Sequence, residues 1–291
     1  SPVGNGRNFT DMISERHQKK IAVINDLSGY GRCSLTVAIP ILSALKVQCC
    51  PVPTSILSNH TGFPVYFFDD YTDKMGLYLE KWTELGLEFD GIFSGFLGSE
   101  AQIGIVMSMI RQFQGKDTLV VIDPIMGDHG KAYQTYTPAM CSRMKELVCL
   151  GDIVTPNLTE ACILTGREYR DEGWHRTELL AMAEEIREMG PSGVIITGVK
   201  EGAYLTNVIA EQGKEGAFCR SMRVGRERPG TGDVFSAIVA AEAVKGASLT
   251  DAAKKAARFV KRCILKSEEL NVPVQNGVCF EEVLSELIKW K

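Results

Sequence analysis

The chain lacks any apolar run approaching the ~18 residues of a membrane-crossing helix. Its opening stretch, Ser1 to Gln18, is polar and holds no hydrophobic segment of the secretory kind. No membrane partner and no signal segment are therefore expected. Nine cysteines are present without a single C-x-x-C pair, scattered irregularly (Cys49-Cys50, Cys141, Cys149, Cys162 and Cys263 among them). An odd count without spacing argues against a disulfide framework and for reduced, buried thiols in the cytoplasm. Four histidines, none near a cysteine pair, leave no zinc pattern. A net charge of only −4 gives no reason to expect a nucleic acid or an anionic surface as partner. An anionic substrate would need local attraction. Repeats, low-complexity tracts and divisive linkers are also missing.

What is present is ordinary globular material: 291 residues, 45% hydrophobic and 23% charged, enough for a sizeable core. Residues 1–18 are expected to form a poorly ordered arm, and residues 19–291 a single domain. Short apolar runs read as strands at Lys20–Asn25, Val47–Pro53, Asp90–Ser94, Thr118–Asp123, Asp152–Thr155 and Gly193–Thr197. Amphipathic stretches alternate with them, at Leu35–Leu45 (with Pro40 expected to kink it), Thr72–Leu85, Ser99–Gln112, Pro138–Leu147, Leu158–Leu164 and Thr177–Met189. Ala203–Asn207 and Ala217–Arg223 read as an antiparallel extension at the sheet edge, and helices dominate from Asp233 onward. Such alternation predicts an α/β fold: a doubly wound, mostly parallel central sheet with helices on both faces. Ligands then belong at the C-terminal ends of the strands. Leu57–Tyr71, rich in aromatics, predicts a small flap over the sheet edge.

The strongest local pattern is Gly230-Thr231-Gly232-Asp233, running directly into the apolar helix Val234–Ala241. Two glycines let successive N–H groups point outward, and the helix dipole adds partial positive charge, so the turn attracts phosphate. A carboxylate beside an anion site is then odd, unless Asp233 faces the other reactant and takes a proton from an attacking hydroxyl. Read alone, the segment also serves as a plain helix cap.

Two further acidic motifs follow predicted strands. Asp123-Pro124-Ile125-Met126-Gly127-Asp128 emerges from one, and Thr155-Pro156-Asn157-Leu158-Thr159-Glu160 from the next. Carboxylates near nucleotide phosphates commonly hold Mg²⁺, which prefers oxygen and keeps much of its water. Asn157 with Glu160 equally matches a capping box. At successive strand ends, ahead of the glycine turn, a shared site is the better reading.

Four features occur in a familiar order: Gly29-Tyr30-Gly31, Asp123-Pro124-x-Met126-Gly127, Thr155-Pro156-Asn157-x-x-Glu160 and Gly230-Thr231-Gly232-Asp233. From Lys20 to Lys266 the chain resembles the ribokinase-like superfamily of small-molecule kinases. Ser58-Asn59-His60-Thr61-Gly62 and Ser94-Gly95-Phe96-Leu97-Gly98-Ser99 are similar to its pyridoxal (vitamin B6) kinase branch. The resemblance implies ATP- and Mg²⁺-dependent transfer of the γ-phosphoryl group to the 5′-hydroxymethyl of pyridoxal, pyridoxine or pyridoxamine, in a homodimer. By position it implies Asp233 as base and the N–H groups of Gly230 to Asp233, including Thr231 and Gly232, as an anion hole. Asp123, Asp128 and Glu160 would organise Mg²⁺. Asn157, Thr197, Gly198 and Tyr136 would lie on the nucleotide side. His60 and Thr61 would hydrogen-bond ring substituents, with Phe96 against the ring face.

The sequence also departs from that branch. Asp26 stands where a serine is usual, and Phe96 where tyrosine is frequent. An aspartate there suits a protonated ring nitrogen or an amino group on a pyrimidine, so Asp26 joins the substrate side. That leaves a hydroxymethylpyrimidine kinase as the alternative, and a non-catalytic vitamer binder as a third reading. Arg32 is open to a phosphate or a surface acid. Cys33, at a helix start, is either a thiol of lowered pKa or an inert small residue. Val272–Gly277 is a candidate adenine-side loop.

Overall fold

The computed structural model describes residues 17–290. The expected arm lies outside them except for His17 and Gln18, and His17 Nε2 is 2.7 Å from Asp90 Oδ1. The chain opens with β1 (Lys20–Tyr30), α1 (Ser34–Ala44), β2 (Gln48–Asn59), β3 (Phe68–Asp70) and α2 (Thr72–Glu84). It continues through β4 (Gly91–Ser94), α3 (Glu100–Phe113), β5 (Leu119–Ile122), the hairpin β6 (Gly127–Asp128) and β7 (Lys131–Ala132), then α4 (Pro138–Val148) and β8 (Ile153–Val154). The remainder is α5 (Leu158–Thr165), α6 (Arg176–Glu188), β9 (Gly193–Glu201), β10 (Tyr204–Glu211), β11 (Ala217–Met222), α7 (Thr231–Val244), α8 (Leu249–Glu269) and α9 (Leu284–Lys289).

Nine strands form one sheet in the order β11-β10-β9-β8-β5-β4-β1-β2-β3. From β9 to β2 neighbours run parallel, while β10, β11 and β3 supply the antiparallel edges. This is the expected doubly wound fold. Side-chain alternation explains its two layers. Ala22, Ile24, Ile92, Val120, Ile122 and Val194 face one core with α3, α4, α5 and α6. Ile21, Val23, Phe93, Val121 and Ile195 face the other with α1, α7 and α8. In α8 the buried Leu249, Ala252, Ala253, Ala256, Phe259, Cys263 and Ser267 recur at helical spacing. α1 runs through Pro40, which has no N–H to donate. All nine cysteines are unpaired.

Strand order reverses between β1 and β4, and such a switch point opens a crevice at the strand ends. Two strands outrun their expected length there. Past an irregularity between Asn25 and Leu27, β1 pairs on through Ser28↔Leu57 and Tyr30↔Asn59, so Ser28 to Tyr30 are strand rather than loop. β3 then pairs with Ser55–Leu57 of β2. The flap is this projecting three-stranded corner.

Candidate active site

Asp26 sits at the irregularity in β1, where the ladder is interrupted and its side chain is free to meet local donors. Ser28 Oγ donates to Asp26 Oδ2 (3.0 Å) and Ser34 Oγ to Asp26 Oδ1 (2.7 Å). Burial raises the Asp26 pKa, against the lowering effect of Ser34 and Ser28. Across from it, Asp233 lies in the first turn of α7 and its Oδ2 accepts the backbone N–H of Ser34 at 2.9 Å. The base candidate thus stands at two helix starts, its own and that of α1. Burial pushes Asp233 up to about 6; the Asp26 charge adds to the rise, and the Ser34 N–H and the Asn25 side chain oppose it.

The glycine turn is built by close approach. Gly230 has φ 82°, and a Cβ there would lie 1.9 Å from Arg32 O. Thr231 Oγ1 donates to Arg228 O (3.2 Å). Beneath it the buried Arg228 donates to Gly277 O (3.0 Å) and pairs with Glu268 (3.0 Å), fixing the turn to the end of α8. The first N–H groups of α7, at Thr231, Gly232 and Asp233, have no acceptor within the helix.

Asp123 follows β5, 6% exposed, and its Oδ2 accepts from Ser236 Oγ at 3.0 Å. Ser236 stands three residues after Asp233 on α7 and also meets Thr155 Oγ1 (2.9 Å). Asn157 and Glu160 do form a capping box on α5. Glu160, 3% exposed, spends both oxygens on backbone donors, Met126 N (3.2 Å) and Asn157 N (2.7 Å). Asn157 Nδ2 donates to Gly127 O (2.9 Å). Asp128 is exposed beside His129. Burial raises Asp123 and Glu160 well above the carboxylate range, and the charges acting on them are mostly other carboxylates: Asp233 on Asp123, and Asp123 and Asp128 on Glu160.

Among the described residues no group of three His, Cys, Asp or Glu is close enough to cage a bare metal ion. The oxygen-only set, whose neighbours are other carboxylates, instead suits a cation that keeps its waters, as Mg²⁺ does. Thr197 N donates to Pro156 O (2.9 Å), and Gly198, with φ 69°, donates its N–H to Asn207 Oδ1 (3.1 Å), both beside the α5 start.

On the substrate side, His60 Nδ1 accepts the Gly62 N–H (3.1 Å), so Nε2 carries the proton toward Gln275 O (2.7 Å). Thr61 is exposed beside it. Phe96, half-buried after β4, packs 6.1 Å from the Tyr136 ring. Tyr136 is itself buried, its hydroxyl donating to Leu97 O at 2.7 Å. The neighbouring Tyr133 is the tyrosine exposed among Glu160, Asp128, Asp123 and Asp233.

Two open readings are closed by contacts. Arg32 Nε pairs with Glu281 (2.8 and 3.0 Å) and Nη1 donates to Asn276 O (3.0 Å), so its guanidinium meets an acid. Burial together with the Asp233 and Asp26 charges pushes the Cys33 thiol up to about 12, the reverse of activation. Val272–Gly277 lies at the flap, through His60–Gln275 and a 3.1 Å hydrogen bond from Asn276 Nδ2 to Tyr30 Oη. Ser34, Ser236, Arg228 and Tyr133 were missed in the sequence. Only Ser236 left a signal, one helical turn beyond Asp233.

Residues 43–277 match the model of the phosphomethylpyrimidine kinase family. A candidate phosphomethylpyrimidine kinase from Bacteroides thetaiotaomicron superposes with a TM-score of 0.91 at 37% identity, covering 94% of each chain. Its orthorhombic form, with pyridoxal, gives 0.86 at 36% identity over 93% of this chain and 96% of that one. A pyridoxine/pyridoxal/pyridoxamine kinase from Bordetella avium is 30% identical over 81% of each chain. The chain belongs to the phosphomethylpyrimidine kinase family, and is a small-molecule kinase of the pyridoxal kinase type.

Proposed function

We propose that the protein transfers the γ-phosphoryl group of ATP to the 5′-hydroxymethyl of pyridoxal, pyridoxine or pyridoxamine. The observation that carries this reading is the place of Asp233, in the first turn of α7 beside the glycine turn and near enough to Asp26 to feel its charge. Asp233 takes the proton of the 5′-hydroxyl. That oxygen bonds to the γ-phosphorus as the bond to the β–γ bridging oxygen breaks, and the electron pair leaves with ADP. The N–H groups of Thr231, Gly232 and Asp233 would hold the charge of the transferring group. The pyridoxal in a relative 36% identical supports the choice of acceptor.

Asp123, Asp128 and Glu160 would hold Mg²⁺ through its waters, with Asn157 ordering the loop around them. When bound, the ion offsets the negative charge of the phosphates. Thr197, Gly198 and the exposed Tyr133 would line the nucleotide side. Thr61 and His60 would lie at the ring substituents and Phe96 at the ring face. Nine unpaired cysteines support a reducing, cytoplasmic setting, and no helix among the described residues is long and apolar enough to cross a membrane. Residues 19–291 would act as one kinase domain in a homodimer.

Asp233→Asn is the direct test. Losing a general base costs about 10²- to 10⁴-fold in rate, so the variant should keep its fold and ATP binding and release little ADP. Near-normal turnover would overturn the assignment. Asp26, held by two serines, favours one second reading, in which the acceptor is a hydroxymethylpyrimidine whose amino group donates to it. ADP release across pyridoxal, pyridoxamine and hydroxymethylpyrimidine in competition separates the two.

A further inference from the structure

Ser34 opens α1 in a conformation that a serine seldom adopts. Its φ is 52°, in the left-handed region, directly after the extended Cys33 (φ −154°). Strain of this kind persists where surroundings over-determine it, and it clusters at working sites. Here the surroundings are two acids. The Ser34 N–H donates to Asp233 Oδ2 at 2.9 Å, and its hydroxyl donates to Asp26 Oδ1 at 2.7 Å. The residue is 6% exposed. Asp26 is braced from its other oxygen by Ser28, and its backbone N–H donates to Asn25 Oδ1 at 3.0 Å. One strained residue thus bridges the carboxylates of β1 and α7.

A site with two acids at a set spacing selects ligands by the spacing of their donors. Asp233 answers the hydroxyl of the reacting arm. Asp26 answers a second donor on the ring. In a B6 vitamer the ring nitrogen is meta to the carbon that carries the 5′-hydroxymethyl, and when protonated it offers one N–H. We propose that Ser34 is a positioning residue that fixes Asp26 relative to Asp233, so that the site selects an N–H-bearing six-membered ring whose hydroxymethyl arm is meta to a ring nitrogen. This rests on the kinase reading and adds to it a substrate rule. Cys33 and His60 also lie near Asp26, but the His60 nitrogens serve Gly62 and Gln275 and the Cys33 thiol is held neutral.

The experiment uses the full chain as Ser34→Gly, Ser34→Ala, Asp26→Asn and the Ser34→Gly/Asp26→Asn pair. Glycine accepts the left-handed backbone without strain, so Ser34→Gly should match or exceed the wild-type Tm. A hydrogen bond to a charged group supports a loss of about tenfold. It should appear as a raised KM for pyridoxal with KM for ATP unchanged, and should shrink to under about twofold in the Asp26→Asn background. Ser34→Ala should show the same KM change at a Tm no higher than wild type. Wild type should also prefer the meta isomer of hydroxymethylpyridine over the para isomer, and Ser34→Gly should lose that preference. Wild-type kinetics in Ser34→Gly, an undiminished loss in the double variant, or equal use of the two isomers overturns the proposal. Calorimetric Kd values for pyridoxal are read in parallel. Binding that weakens tenfold in Ser34→Gly without ADP release from wild type upholds Ser34 and sinks the kinase reading; absent binding sinks both.

Discussion

The imidazole of His60 stands 2.7 Å from the carbonyl oxygen of Gln275, tying the flap to the loop that follows α8. The other ring nitrogen is taken by the Gly62 N–H, and the ring lies 4.5 Å from that of Phe63. Gly31 completes the fit, since a Cβ there would fall 2.4 Å from His60 Cδ2.

His60 therefore holds the flap in place through both ring nitrogens. His60→Ala should raise KM for pyridoxal by about tenfold, the scale of one to two lost hydrogen bonds, with a smaller change in kcat. Steady-state kinetics on purified variant decide this. An unchanged KM would show that the flap keeps its position without the link.

A general-base role for Asp233, as proposed, predicts an acid limit. Asp233, with a pKa of about 6, accepts a proton only when ionised, so kcat/KM should fall below pH 6 and level off above it. Because the Asp26 charge helps hold that value up, Asp26→Asn should move the limb to lower pH even as it weakens substrate binding. A pH profile of kcat/KM for both proteins checks the sign. A limb that stays put, or moves up, contradicts the electrostatic link.

The two tyrosines after the β6–β7 hairpin should separate cleanly. Tyr136→Phe loses a buried hydrogen bond to Leu97 O and should cost about 1 kcal/mol of stability, with little change in KM for ATP. Tyr133→Phe should leave Tm nearly unchanged and raise KM for ATP, because its ring is exposed among the site carboxylates. Thermal melts and ATP titrations of the pair suffice; the opposite pattern would return the nucleotide role to Tyr136.

These residues also mark how far the sequence could be read. The doubly wound fold was legible because buried parallel strands are short apolar runs and their helices amphipathic. The Gly230–Asp233 turn was legible because glycines beside a helix start carry a local conformational signature. Ser28 to Tyr30 was not: Ser and Gly favour turns locally, and only pairing with Leu57 and Asn59 makes them strand. Tyr133 and Tyr136 differ by three positions in a loop without periodicity, so nothing local says which hydroxyl is buried. Arg228 and Ser34 act through carbonyls and carboxylates about 40 and 200 residues away, contacts that exist only after folding.

Asp123 provides the sharpest test of a cation at the strand ends. Its folded pKa is raised, by burial first and then by the charge of Asp233. The linkage sign follows: a raised carboxyl contributes stability below its unfolded pKa and loses it as pH rises through the folded value. At neutral pH, well above its unfolded pKa, burying this carboxyl therefore weighs against the fold. Asp123→Asn keeps an oxygen for Ser236 Oγ and removes the charge, so its Tm at pH 7 without Mg²⁺ should exceed wild type while turnover falls. Mg²⁺ should raise the wild-type Tm, since a cation offsets the same charge, and should raise the variant's less. Melts of both proteins with and without Mg²⁺ read all four values. A variant no more stable than wild type, or one that gains as much from Mg²⁺, would place the ion away from Asp123.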